Sequence, residues 1–160
     1  MAEGLKTQLH RVGFDVVGEV KDADASITIF INQEDIDKGK EGNPLECTAA
    51  QCLQRAMGGS RVAMFLNTAY VQLPAETNVT RYIVPAKLRD KVVIPQDTGG
   101  DPIPGSYTLK QPRGHARLGQ AAARRSRLAA LRSQGLAPPV RKLAVKAPVH
   151  QIRTRWIGRI

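Results

Sequence analysis

Residues 26–31 read Ser-Ile-Thr-Ile-Phe-Ile, and this stretch decides the fold class. Isoleucine at every second position is typical of a strand that is buried on one face, because successive side chains of a strand point to opposite sides. Asn32 then has the side chain of a helix N-cap, and the next six residues suit a short helical turn that Gly39 ends. The stretch predicts a core strand followed directly by a short helix.

A longer helix is indicated by the next segment of the chain. Residues 43–46, Asn-Pro-Leu-Glu, combine a cap residue, a proline at the first helical position and an acid in the first turn. The apolar residues that follow at helical spacing are Leu45, Ala49, Cys52, Leu53 and Ala56. Gly58 and Gly59 end the run, so we expect one amphipathic helix that packs on the sheet.

Short apolar runs around these two elements complete the predicted fold. Residues 61–66, 70–73, 80–84 and 106–110 have the composition of strands. Pro85 opens a short helix through Val93, which Pro95 stops. Residues 1–25 fit either an edge strand or an extended N-terminal arm. The sequence therefore predicts an α+β fold with a small, mostly antiparallel sheet and two or three short helices.

Charge divides the chain into two unlike parts. The whole chain has a net charge of +10, but residues 1–109 hold 11 basic and 14 acidic residues, a net of −3. Residues 110–160 hold 13 basic and no acidic residues, and ten of the 13 are arginine. A segment without carboxylates must find its counter-charges on phosphates or on acidic protein surfaces. We therefore predict a folded body, residues 1–110, and a basic partner-binding tail, residues 111–160.

The tail itself has two predicted segments. Residues 120–134 are rich in Ala, Arg and Leu and end before Gly135, which predicts one helix with an arginine face and an alanine face. Residues 138–160 are extended in character, with apolar residues between the basic ones. We expect the following tail residues to contact the partner: Arg113, Arg117, Arg124, Arg125, Arg127, Leu128, Leu131, Arg132, Arg141, Lys142, Lys146, Ile152, Arg153, Arg155, Trp156, Ile157, Arg159 and Ile160.

Motifs of catalysis are not found in the sequence. The three histidines, His10, His115 and His150, lie far apart, and no phosphate-binding loop, nucleophile elbow or zinc-protease motif is present. Glu34, Asp35 and Asp37 are expected to be solvated at a helix start rather than to hold a metal. Cys47 and Cys52 point about 140° apart on a helix, so they are expected to be buried thiols rather than a disulfide. A lowered pKa for Cys47 at the helix start is the less favoured alternative.

The body also resembles a known group of proteins. The runs that carry the resemblance are residues 31–39 (Ile-Asn-Gln-Glu-Asp-Ile-Asp-Lys-Gly), 47–53 (Cys-Thr-Ala-Ala-Gln-Cys-Leu) and 83–85 (Ile-Val-Pro). Over roughly residues 27–109 the chain resembles small uncharacterised proteins of tailed bacteriophages. Cys52 stands where that group leads us to expect alanine, and the basic tail is longer than expected. The resemblance implies a phage context and brings no catalytic residues.

These observations favour a non-enzymatic function. We expect a structural component of a phage virion, a minor capsid or capsid-decorating protein present in several copies, whose arginine-rich tail threads into neighbouring subunits. The alternative is a nucleic-acid-binding protein that uses residues 111–160 on phosphates. A phage inhibitor of a host enzyme or defence system is a third hypothesis, and an enzyme is the least favoured. No cofactor, metal or membrane partner is expected. We find no signal peptide or membrane span, so the expected location is the virion, after synthesis in the host cytoplasm.

Overall fold

The computed structural model of the chain describes residues 2–137, and within them it shows an α+β fold. The strands are β1 (Val20–Asp22), β2 (Ile27–Ile31), β3 (Arg61–Met64), β4 (Thr68–Gln72), β5 (Val79–Ile83) and β6 (Gly105–Leu109). The helices are α1 (Ala2–Arg11), α2 (Gln33–Lys38), α3 (Thr48–Ala56), α4 (Ala86–Leu88), α5 (Ile94–Asp97) and α6 (Gln120–Ser133), with a π-helical turn at Arg89–Val93 and a 3-10 turn at Gly114–Ala116.

The strands form two sheets that share one hydrogen-bonded junction. A four-stranded sheet has the order β1-β5-β4-β3, in which only the β1–β5 pair is parallel, and β2 pairs with β6 in an antiparallel ribbon. The backbone groups of Ile83 and Lys110 exchange two hydrogen bonds, of 2.8 and 3.0 Å. The end of β6 is therefore joined to the end of β5, and the prediction of a mostly antiparallel sheet is confirmed.

Apolar side chains cover both faces of the four-stranded sheet. Because strand side chains alternate, neighbouring residues of β3 enter different cores. Val62 and Met64 face α3, the β2–β6 ribbon and the helix after β5. Ala63 of β3, together with Phe65 after its end, faces α1 and the chain that follows it. Full burial of one such side chain contributes roughly 1.5–3 kcal/mol, so both layers stabilise the body.

The N-terminal segment agrees with its prediction only in part. Residues 2–11 form a helix, which the sequence did not predict. The extended chain after it is an arm that packs on the sheet, and Val20–Asp22 form an edge strand that pairs with β5. Phe14 of this arm is fully buried, and the guanidinium of Arg61 lies 4.9 Å from the centre of its ring. The alternation of Val12, Phe14 and Val16 thus reflects an arm buried on one side, without strand pairing.

Two helix boundaries also differ from prediction. The helix expected from residue 43 begins at Thr48, because residues 43–46 form a turn in which Asn43 accepts a hydrogen bond from the Leu45 amide. The helix expected to stop before Pro95 continues to Asp97. The π-helical turn before Pro95 shifts the hydrogen-bond register, so that proline occupies the first turn of α5, where its missing N–H is tolerated.

The tail helix is where the sequence predicted it. Helix α6 runs from Gln120 to Ser133, and Gly135 has a positive φ of 70°, as expected of a glycine that ends a helix. The predicted extended segment, residues 138–160, lies outside the described residues.

Candidate functional site

Helix α6 presents the arginine face that the sequence predicted. Arg124, Arg125, Arg127 and Arg132 are all exposed, whereas Leu128 and Leu131 on the same side are half-buried. Within residues 2–137, the element that α6 contacts extensively is the 3-10 turn just before it. The arginine face of α6 therefore lies at the surface of the described part of the chain.

The structure locates eight of the predicted contact residues. Six lie on α6, and Arg113 and Arg117 are exposed at the two ends of the 3-10 turn. From Lys110 to Ala137 the sequence holds seven basic residues and no acidic one. The remaining predicted contacts lie outside the described residues: Arg141, Lys142, Lys146, Ile152, Arg153, Arg155, Trp156, Ile157, Arg159 and Ile160.

Two charged side chains of the body hold the beginning of the tail. Parallel pairing of β1 with β5 places Asp22 beside Arg81, and the Arg81 guanidinium donates to the Asp22 carboxylate at 2.9 Å. The same Arg81 nitrogen donates to the Ala116 carbonyl at 2.8 Å, and the Leu118 amide donates to the second Asp22 oxygen at 2.8 Å. We call these four residues the linker clasp. Sequence reasoning missed it, because residues 96 apart in the chain give no local signal.

The linker before the clasp is also attached to the body. Pro112 is buried, and the Gln111 amide donates to the Ser26 hydroxyl at 3.4 Å. The sequence predicted that the tail begins at residue 111. Instead, the chain is held to the body as far as Leu118, and α6 begins two residues later. The division into body 1–110 and tail 111–160 stays a prediction.

An ion pair between buried Asp35 and exposed Arg55 joins α2 to α3. Asp35 is only 3% exposed, and Arg55 donates to both of its carboxylate oxygens, from Nη2 at 2.8 Å and from Nε at 3.2 Å. Asn32 and Asp35 also exchange hydrogen bonds in a capping box. Burial works to raise the pKa of Asp35, but the hydrogen bonds and charge of Arg55 and the Asn32 amide hold it below its ordinary value. The expectation that Asp35 is solvated is therefore wrong.

The two cysteines are buried, free thiols, as the sequence predicted. Burial raises the pKa of Cys47 to about 11 and that of Cys52 to about 12. The alternative of a lowered pKa for Cys47 is wrong, because desolvation outweighs the amides at the start of α3. The Cys52 thiol donates to the Phe30 carbonyl at 3.1 Å. Both thiols are protonated near neutral pH and are poor nucleophiles.

Residues 2–137 show neither a metal-binding cluster nor a membrane-spanning helix. Histidine, cysteine, aspartate and glutamate side chains do not come together there in any group of three that could hold a metal ion. In the same part of the chain, helices with the length and apolar character of a membrane span are not found.

Comparison with known proteins gives no relative. The chain matches no family model, no curated protein and no solved structure.

Proposed function

We propose that this protein is a non-enzymatic structural component of a tailed-phage virion, a minor capsid or capsid-decorating protein. Its body lies against the assembly, and its arginine-rich tail threads into neighbouring subunits. The observation that carries the proposal is the arginine face of α6, exposed at the end of a linker that is fixed to a compact body. A body with its own core and a projecting basic helix suits a protein that joins subunits rather than one that turns over a substrate.

The apolar residues among the arginines support a protein partner. All six basic residues from Arg113 to Arg132 are arginines, and the planar guanidinium binds carboxylates and phosphates alike with two parallel hydrogen bonds. Leu128 and Leu131 lie among them and would add apolar contacts. The resemblance of residues 27–109 to small tailed-phage proteins supports the virion as the place of assembly.

Mass spectrometry of purified particles tests the proposal directly. Particles of a phage that encodes this chain are purified on a density gradient and washed in high salt. The chain should remain in a fixed, multi-copy ratio to the major capsid protein. Loss of the chain from washed particles, or its presence only in the lysate, would contradict a structural role.

A nucleic-acid-binding function is the second candidate, and the absence of carboxylates from residues 110–137 favours it. Phosphates attract any cation, so such binding should weaken steeply as salt increases. The body argues against it: residues 1–109 have a net charge of −3 and would not add to the attraction. The two candidates make different predictions for the chemistry of the α6 arginines.

The triple variant Arg124→Lys, Arg125→Lys, Arg127→Lys keeps the charge and removes the planar guanidinium groups. If the partner is protein, we expect incorporation into particles to fall by about tenfold, because paired hydrogen bonds to carboxylates are lost. The measurement is the amount of variant per particle, with Arg11→Lys, at an exposed position of α1, as control. Unchanged incorporation together with DNA binding that falls steeply with salt would favour the nucleic-acid function.

Trp156→Ala tests the tail beyond the described residues. We expect Trp156 to be buried against another chain, so its truncation should weaken association by roughly 2 kcal/mol, which is about 30-fold in the dissociation constant. The melting temperature of the isolated protein should not change. Thr154→Ala is the neighbouring control. A lower melting temperature with unaltered association would show that the tail packs on its own body.

A further inference from the structure

The linker clasp lies where the tail leaves the body, and its two charged side chains have little solvent around them. The side chains of Arg81 and Asp22 are 14% and 20% exposed. Screening by water is therefore weaker than for a surface ion pair. Asp22 uses one oxygen for Arg81 and the other for the Leu118 amide, so a single carboxylate connects the sheet with the tail.

Backbone hydrogen bonds connect the chain after the linker clasp with the start of α6. The Gln120 amide donates to the Arg117 carbonyl at 3.2 Å, and the Ala123 amide donates to the Gly119 carbonyl at 3.1 Å. Gly119 has a φ of 83°, which a glycine adopts without strain. Hydrogen bonds thus lead from the Asp22 carboxylate into the first turn of the helix.

We propose that Asp22 and Arg81 are positioning residues, and that the linker clasp fixes the orientation of the arginine face of α6 relative to the body. This inference rests on the proposed function, in which α6 binds a partner. A pre-oriented helix pays less ordering entropy when it binds than a helix on a free linker does. The clasp would therefore determine which surface of a neighbouring subunit the arginines reach when the body is docked.

Distances between two spin labels test the orientation without any partner. One label is placed by Glu76→Cys in the loop before β5 and one by Ser126→Cys on α6, both at exposed positions. The native thiols stay unlabelled near neutral pH because they are buried and their pKa values are raised to about 11 and 12. The full-length protein with the intact clasp should give one narrow distance distribution.

Asp22→Asn should increase the width of that distance distribution at least about twofold, because α6 would then be attached through a flexible linker. Asp24→Asn removes an exposed carboxylate two residues away and should leave it narrow. Leu118→Pro removes the donor on the tail without changing the body, so it should broaden the distribution even if Asp22→Asn unfolds. A broad distance distribution in the parent protein, or a narrow one in Leu118→Pro, would overturn the proposal that the linker clasp fixes the orientation of α6. The spin-label distances are measured on the isolated protein, so they do not depend on incorporation into particles. Incorporation tests the proposed function separately.

Discussion

Gly39→Ala should lower the free energy of unfolding by about 3 kcal/mol or more, one of the largest effects of a single methyl group in this chain. A Cβ atom at residue 39 would lie 2.7 Å from the backbone nitrogen of Thr48, 2.6 Å from Nε2 of Gln96 and closer still to Oγ1 of Thr48. The Thr48 backbone cannot move away cheaply, because it begins α3 and donates to Gln96 at 2.9 Å. Thermal and urea unfolding of the full-length protein measure the loss.

Gly4→Ala is the matched control for this change. Gly4 lies within α1, and no atom comes within 4 Å of a Cβ placed there. Alanine is the better helix former by roughly 0.8–1.0 kcal/mol, so this variant should be equally or more stable. If Gly39→Ala were as stable as the parent, the close packing of α2 on the start of α3 would be contradicted.

Asp35→Ala should lower the free energy of unfolding by at least about 2 kcal/mol, because it removes a buried carboxylate that accepts hydrogen bonds from the Asn32 amide and from Arg55. The carboxylate is buried, so water cannot fully replace it. Glu34→Ala, one residue away, is the control: Glu34 is exposed and pairs with exposed Lys38, so its removal should change stability by less than about 0.5 kcal/mol. Equal effects of the two variants in urea unfolding would contradict a stabilising role for the buried Asp35 carboxylate.

The contribution of Asp35 should also depend on pH. Its pKa in the folded protein is below the ordinary value of 3.8, so the folded state favours the ionised form. The stabilisation is fully present above pH 3.8 and is lost as the pH falls through the folded pKa. The stability difference between the parent and Asp35→Asn should therefore be constant near neutral pH and shrink below about pH 4. A difference that grows on acidification would contradict the lowered pKa.

Local signals predicted much of the fold. The alternating isoleucines predicted β2, the Asn32 cap predicted α2, and the glycine after residue 134 predicted the end of α6. These three elements could be predicted because each signal lies in neighbouring residues of the sequence. Helix α1 was missed, since its apolar side is only Leu5 and Leu9 and Gly4 weakens its helical propensity. Gly39 ends α2 as predicted, but the reason for a glycine there was not visible in the sequence: its φ is −66°, so it is needed for close approach and not for a left-handed turn.

The candidate site was predictable in composition but not in geometry. Net charge and arginine content depend on sequence alone, and they identified the α6 face. The ion pair of Asp35 and Arg55 and the linker clasp depend on elements that meet only after folding. Glu34, Asp35 and Asp37 looked equivalent as acids in one helical turn, but only Asp35 faces α3 and is buried. Its neighbours kept the solvent exposure that was expected of all three.

The linker clasp also decides where a mechanical load enters the body. If a bound partner pulls on α6, the tension reaches Leu118 and Ala116 before it reaches Lys110, and the clasp passes it to Asp22 and Arg81. These two residues belong to β1 and β5, so the load arrives at a parallel pair within the larger sheet. While the clasp holds, the junction between Ile83 and Lys110 is shielded from the force. Tension on the tail would then have to break the charged contacts before it could peel β6 from its neighbours.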